Sequence, residues 1–330
     1  MKSFCTYFDK HYLVKGLTLY LSLMKHAEPF TLYVLCLDEF TFRTLRTLGR
    51  PNLIPISLES FERGDDALRE AKNNRDRVEY FFTCSPSLPL YVFREYRQVD
   101  LISYLDADLF FYSSPGPIYS ELGNRSVSII GHRFPEHLKS LERYGVYNVG
   151  MISFRNDRYG LECLQVWRQQ CLEWCYDRVE GGRFADQKYL DEWPGRFNPH
   201  VAVLRHKGAN VAPWNWMNYE IRCSNGEIEV DGQPLIFYHF AELKILNRWL
   251  CNPTLSKYGR GSLALRRYIY RPYLRALSET RKWLEGIEPD LDPGYAIRKG
   301  GRGARGNFLK SVTRGVIHRE LLITIGNVVI

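Results

Sequence analysis

The chain has 330 residues, 45% of them hydrophobic and 14% aromatic, enough apolar material for a large packed core and an argument against intrinsic disorder. No run of 18 apolar residues occurs, and the N-terminal MKSFCTYFDKHYLVKG lacks the apolar block of a signal peptide, so the expected location is the cytoplasm or the cytoplasmic face of a membrane. Of 45 basic and 37 acidic side chains, 14 and 6 fall in residues 259–330, which leaves 31 of each before them; the net charge of +8 belongs to the tail, and a nucleic-acid-binding core is excluded.

Short β-rich runs alternate with helical patterns over the first 115 residues, which predicts parallel strands joined by crossover helices. Residues 3–8 (SFCTYF) read as the first strand, and Leu13, Leu17, Tyr20, Leu21 and Met24 then mark one face of a helix ending near His26. FTLYVLCL (30–37) is a second strand, and Asp38 is placed to cap a helix that stops near Gly49. NLIPI (52–56) is a third strand. Residues 65–77 form a polar surface helix or loop, and a helix from about Ser85 to Tyr96 begins near Pro86. LISYL (101–105) is a buried fourth strand that ends in acidic residues.

Beyond Pro115 and Pro117, SVSII (126–130) and VGMISF (149–154) are strand-like, and a long helix is predicted from about Arg158 to Arg178. Short strands near 201–204, 227–230 and 235–239 complete a mixed sheet, with Asp231-Gly232 as a hairpin turn. From about 258 the chain is helical and basic to Gly286, and a Gly/Arg-rich hinge follows near 298–307. The G-x-G-x-x-G spacing of Gly301, Gly303 and Gly306 has no strand before it and is not a dinucleotide fingerprint. Eight cysteines without a C-x-x-C pair predict free, mostly buried thiols.

The most informative segment is Tyr104-Leu105-Asp106-Ala107-Asp108-Leu109-Phe110-Phe111. In extended backbone, residues two apart project to the same side, so Asp106 and Asp108 point together from the end of a central strand, where open α/β sheets bind ligands. Two carboxylates in an apolar setting repel each other and resist desolvation, and a divalent cation relieves both problems.

This segment resembles the DxD motif of GT-A nucleotide-sugar glycosyltransferases, and is most similar to glycosyltransferase family 8 and its bacterial relatives. Other segments match in order: Thr6-Tyr7-Phe8-Asp9-Lys10-His11-Tyr12 with Ser22-Leu23, Asn148-Val149-Gly150-Met151, Phe184-Ala185-Asp186-Gln187, the stretch from Gly208 to Asn215, and Tyr238-His239-Phe240. The relatives commonly carry an arginine upstream of the acidic pair, where this chain has Ser85-Pro86-Ser87-Leu88-Pro89. They also carry Gly and then Lys-Pro-Trp after the histidine, where it has Ala241-Glu242-Leu243-Lys244.

The resemblance, over about residues 3–245, implies an α/β GT-A fold, Rossmann-like, with a mixed central sheet flanked by helices; the catalytic domain is set at 1–257, and the charge pattern makes 258–330 a basic helical extension. The resemblance also implies a metal site of Asp106, Asp108 and His239 holding Mn²⁺ or Mg²⁺, the imidazole favouring Mn²⁺. Thr6, Tyr7, Phe8, Asp9 and Tyr12 go with the nucleoside. Leu105, Asp106, Ala107, Asp108, Asn148, Gly150, Asn210 and Trp214 complete the donor-binding set, with Trp216 as a second tryptophan able to stack on a sugar. Asp186 and Gln187 are the catalytic candidates, and they imply transfer with retention; an inverting enzyme would use Asp186 as general base. The implied partners are a nucleotide-diphosphate sugar, with UDP as the nucleotide, and a glycan or lipid-linked acceptor.

The Arg-, Tyr- and Leu-rich residues 259–285 could instead dock an anionic membrane surface or pack on the core. Two further function classes stand beside the transferase. A non-catalytic sugar-nucleotide-binding protein would be expected to lose a carboxylate of the acidic pair. A sugar-1-phosphate nucleotidyltransferase would carry a Gly-rich, Arg-containing loop after the first strand, where this chain reads YFDKHYLVKG.

Overall fold

A computed structural model describes residues 1–259, 261–292, 294–295, 312–313, 316, 321–325 and 328–329. The hinge expected near 298–307 lies outside the described residues.

The chain begins β1 (Lys2–Phe8), α1 (Leu13–His26), β2 (Phe30–Cys36), α2 (Glu39–Leu48) and β3 (Leu53–Ser57), the predicted succession of strands and crossover helices. All seven residues of β2 are buried, as parallel strands covered on both faces require. α2 starts where the Asp38 carboxylate accepts the Thr41 N–H at 2.8 Å and stops where Gly49 turns to φ +58°. The short α3 (Leu58–Glu62) and α4 (Asp66–Asn74) follow, then α5 (Arg77–Glu95). α5 begins eight residues before the predicted start, because Asp76 and Glu79 form a reciprocal capping box that sets the N-terminus upstream of Pro86 and Pro89.

β4 (Leu101–Leu105) lies between β1 and β7 (Tyr147–Arg155), in a seven-stranded sheet of order β3-β2-β1-β4-β7-β6-β8, with β6 (Val127–Gly131) and β8 (Val201–Leu204) at the far edge. β1 pairs in parallel with β2 and β4, whereas β7 runs antiparallel to both β4 and β6. The fourth strand is therefore the middle of the sheet. Just after it, β5 (Leu109–Phe111) leaves the sheet, and α6 (Gly116–Leu122) leads to β6. α7 (Arg158–Glu173) ends five residues short of the predicted Arg178, at Trp174, whose backbone is extended. After α8 (Trp193–Arg196) and β8, the strands β9 (Ile221–Ser224), β10 (Glu227–Val230) and β11 (Gln233–Pro234) make a small antiparallel sheet. Its predicted turn at Asp231-Gly232 has φ +48° and +76°, the two positive values of a type I′ hairpin.

β12 (Phe237–His239) then pairs antiparallel with β5, setting His239 opposite Leu109. This long-range pairing carries a histidine to the residue next to Asp108. β13 (Lys244–Ile245) and β14 (Leu250–Asn252) follow, and after a π-helical stretch (Leu265–Tyr270) comes α9 (Arg271–Glu285). β14 pairs with β15 (Leu322–Ile325), and β15 with β16 (Val328–Val329).

The apolar face of the C-terminal helix packs inward. Tyr273 stacks on Phe240 with centroids 3.6 Å apart, and Thr18 donates a hydrogen bond to Thr280 at 3.1 Å. Leu265, Ile269 and Leu277 join Phe4, Leu13 and Leu105 in one continuous core. No helix among the described residues is long and apolar enough to cross a membrane. All eight cysteines are free, and only Cys223 is exposed, as expected.

Candidate metal centre

β4 ends at Leu105, and Asp106 does not continue it. The Leu109 N–H donates to the Asp106 carbonyl at 3.2 Å, so the acidic pair sits in a turn between β4 and β5 rather than in extended backbone. The convergence expected from strand alternation is instead produced by this turn together with the return of β12. The Asp106 N–H is held by the Gly150 carbonyl at 2.9 Å, and the Phe240 N–H donates to the Asp108 carbonyl at 2.9 Å.

His239 Nε2 lies 3.1 Å from Asp108 Oδ1 and 3.5 Å from Asp106 Oδ2, and the three ligand atoms all lie within 4.8 Å of one another. Asp106 and His239 each have an outside partner that fixes their orientation, and Asp108 is held by His239 itself. The Tyr104 hydroxyl, two residues before Asp106, donates to Asp106 Oδ1 at 2.9 Å. Asn148 Oδ1 accepts the Gly150 N–H at 3.0 Å, and an N–H can only donate, so the orientation of this amide is fixed. The same oxygen lies 3.2 Å from His239 Nδ1, which must therefore carry a proton and leave Nε2 as the nitrogen able to ligate. The Asn148 NH₂ in turn reaches His132 Nε2 at 3.3 Å. Burial pushes the His132 pKa down to about 3, so it accepts this hydrogen bond as a neutral ring. Trp214 closes the far side, edge-on to His239 at 5.3 Å, with its indole N–H on the His132 carbonyl.

Gly150 is required by this packing. A β-carbon there would lie 2.5 Å from Asn148 Oδ1 and 2.8 Å from His239 Nδ1. β7 thus passes the cluster at a distance only glycine allows.

The electrostatics are those of a site built for positive charge. Burial alone would depress the His239 pKa, but Asp108 and then Asp106 reverse the effect and raise it. Asp106 is raised, first by burial and also by the like charge of Asp108, against the pull of His239; its side chain is 30% exposed, which moderates the burial contribution. Asp108, 13% exposed, is lowered: the His239 attraction and hydrogen bond, with Lys15 behind them, outweigh burial. Two carboxylates and an imidazole whose Nε2 faces them suit a divalent cation, and the trio meets the donor set expected of one.

The other predicted residues fall into two groups. Asp186 is buried near Asp106, and burial raises its pKa to about 7 against a hydrogen bond with Ser85. Tyr7 packs 5.7 Å from the Tyr104 ring with its hydroxyl 3.2 Å from Ser85 Oγ. Asn210, at φ +58°, donates to the Gly131 carbonyl, and its Oδ1 has no partner among the described residues. Asp9 tightens the turn before α1: its Oδ1 accepts the N–H groups of His11 and Tyr12, and its Oδ2 receives Arg77 at 2.7 Å. Tyr12 presents a ring that is 43% exposed.

The remaining members have structural surroundings. The Phe8 ring is buried beneath α1, where a β-carbon at Gly16 would come within 2.3 Å of it. Thr6 and Leu105 are fully buried, and Ala107 nearly so. Gln187 donates to the Tyr144 carbonyl at 2.9 Å, and Trp216 is partly buried against the main core.

Sequence reasoning missed Tyr104, His132, Ser85, Arg77 and Lys15. Only Tyr104 carried a signal, its spacing of two residues from Asp106.

No family model matches the chain. Among solved structures, the galactosyltransferase LgtC in complex with donor and acceptor sugar analogues is similar in fold, with a TM-score of 0.51 over 80% of this chain and 99% of that one, at 15% identity. In sequence, the chain is 31% identical over 299 residues to the uncharacterized protein YfnD of Bacillus subtilis (strain 168), covering 88% of this chain and 94% of YfnD. It is 34% identical over 253 residues to YfnF of the same organism, covering 74% and 82%. Shared along nearly the whole of YfnD, this likeness places the chain in the family of YfnD and YfnF, on a mixed α/β architecture that matches the GT-A glycosyltransferase fold.

Proposed function

We propose that the chain is a glycosyltransferase that takes a sugar from a nucleoside-diphosphate donor, with a divalent cation held by Asp106, Asp108 and His239. The observation that carries this reading is the convergence of those three side chains at the C-terminal end of the central strand, with Asp106 oriented by Tyr104 and His239 by Asn148. When bound there, a divalent cation supplies electrostatic stabilisation for the charge that collects on a departing diphosphate. The nitrogen ligand favours Mn²⁺ over Mg²⁺.

The chain's own residues divide the rest of the work. Asn148 fixes the His239 tautomer, and Tyr104 holds Asp106 in place. The exposed Tyr12 ring, next to Asp9, offers a face for the base of a nucleoside, for which uridine is our choice. Asp186, with a pKa raised to about 7, can hold or release a proton near neutral pH beside the reacting sugar. Transfer with retention is the stereochemistry we favour, onto a glycan acceptor.

The test is a panel of UDP-, dTDP- and GDP-sugars incubated with the full chain and Mn²⁺. Slow hydrolysis of one donor, abolished by a chelator and by substitution of both aspartates with asparagine, is the expected result. Binding without turnover of any donor would make the chain a sugar-nucleotide-binding protein instead. The anomeric configuration of the first product, read by NMR, decides between retention and inversion.

A further inference from the structure

Lys15 lies in the first turn of α1 and is only 7% exposed. Its ammonium has three donors, yet among the described residues it makes a single long hydrogen bond, to the Leu243 carbonyl at 3.4 Å, and otherwise lies over the Tyr12 ring at 4.3 Å. A buried ammonium so thinly compensated is costly, because its lost hydration is not replaced. No side chain caps the N-terminus of α1, so the first-turn N–H groups there also lack a side-chain acceptor.

The position of this charge gives it a use. On one side it lies over the ring of Tyr12, and on the other it reaches the Leu243 carbonyl, in the turn that follows His239 and binds the Asp108 carbonyl through the Phe240 N–H. An anion bound to both an aromatic platform and a cation centre would complete its coordination. We propose that the Lys15 ammonium holds the diphosphate of the donor, between the nucleoside on Tyr12 and the Asp106–Asp108–His239 centre. This assignment rests on the reading of the site as a nucleotide-sugar site.

A purely structural lysine would neutralise Asp108 and nothing more, and calorimetry separates the two roles. The probes are UDP, dTDP and GDP with Mn²⁺, each compared with its nucleoside, on the full chain and on the K15Q and K15R variants. Loss of a charge-assisted contact weakens the best-bound diphosphate about 10- to 100-fold in K15Q, with nucleoside affinity held within about twofold and most of the loss recovered in K15R. Mn²⁺ alone binds K15Q at least as tightly as the parent, since a neighbouring positive charge has gone.

Equal weakening of diphosphate and nucleoside, or none of either, overturns the assignment while leaving the donor site standing. If the parent chain binds none of the diphosphates, the donor-site reading itself falls, and this assignment with it. Should K15Q not fold, NMR of the ¹⁵N-lysine-labelled parent decides. The Lys15 side-chain resonance shifts on addition of the diphosphate and not of the nucleoside; an unmoved resonance overturns the assignment.

Discussion

Replacing Gly150 with alanine places one methyl group in the most crowded part of the centre. The added carbon would sit 2.5 Å from Asn148 Oδ1, 2.8 Å from His239 Nδ1 and 3.0 Å from His239 Cε1, all inside ordinary contact distance. Asn148 cannot swing aside freely, because its oxygen accepts the Gly150 N–H and faces His239 Nδ1, while its NH₂ reaches His132. Something in this relay must separate. Overpacking of a core position costs about 1–3 kcal/mol, and loss of the partner that orients a metal-ligating histidine costs about 10- to 100-fold in metal affinity. Gly150→Ala is therefore expected to bind Mn²⁺ about 10- to 100-fold more weakly in an electron paramagnetic resonance titration while still melting cooperatively. The control is Gly195→Ala, where a β-carbon meets nothing within 4 Å; it should leave both properties unchanged. Parental Mn²⁺ affinity in Gly150→Ala would refute the claim that the Asn148 relay positions His239.

Metal binding is also expected to depend on pH. The raised pKa of His239 means that, without metal, the neighbouring carboxylates favour a proton on Nε2. A cation must displace that proton, so affinity rises about tenfold per pH unit while His239 is protonated and levels off above its raised pKa. Calorimetry in buffers of different ionisation enthalpy should show release of about one proton on the acid side, and no release would contradict this. Asp186 has the opposite consequence for folding. The native state binds its proton more tightly than the unfolded chain, so the stability it contributes is complete below pH ~4 and lost as pH rises through about 7. The stability of the parent relative to Asp186→Asn should fall across that window by up to about 4 kcal/mol, as read by urea unfolding at several pH values; a flat difference would mean that the carboxyl is not held protonated. Finally, we expect the basic extension to belong to the same cooperative unit as the sheet. Ile269→Ala, at a fully buried position, should cost about 2–5 kcal/mol of global stability, and a loss below about 0.5 kcal/mol would separate the two.

Much of this fold was legible because its signals are local. The strands at 3–8, 30–37 and 101–105 lie within a residue or two of the observed ones, and Asp38, Gly49 and Asp231-Gly232 act at their predicted places through side-chain capping and positive φ. The start of α5 was not legible from Pro86, because the Asp76–Glu79 capping box sets the N-terminus upstream and the helix runs on through both prolines.

The centre was only partly readable. Asp106 and Asp108 are two residues apart in sequence, but the approach of His239 depends on the pairing of β5 with β12, well over a hundred residues apart, which no local pattern encodes. The turn that aims the carboxylates is held from β7 and from the end of β12, through the Gly150 carbonyl and the Phe240 N–H. Lys15 looks in sequence like one more solvated lysine on an amphipathic helix, and only the folded chain shows that Leu243 and Tyr12 cover it.

The central claim is that Asp106, Asp108 and His239 clasp one divalent cation to which the donor's diphosphate is also bound. Crystals of the full chain grown with Mn²⁺ and a nucleoside diphosphate, measured at the manganese absorption edge, test it directly. The expected result is one strong anomalous peak within about 2.0–2.3 Å of the three ligand atoms and next to phosphate oxygens. A map with nucleotide bound and no peak at this trio, or with the metal held elsewhere, would contradict the account.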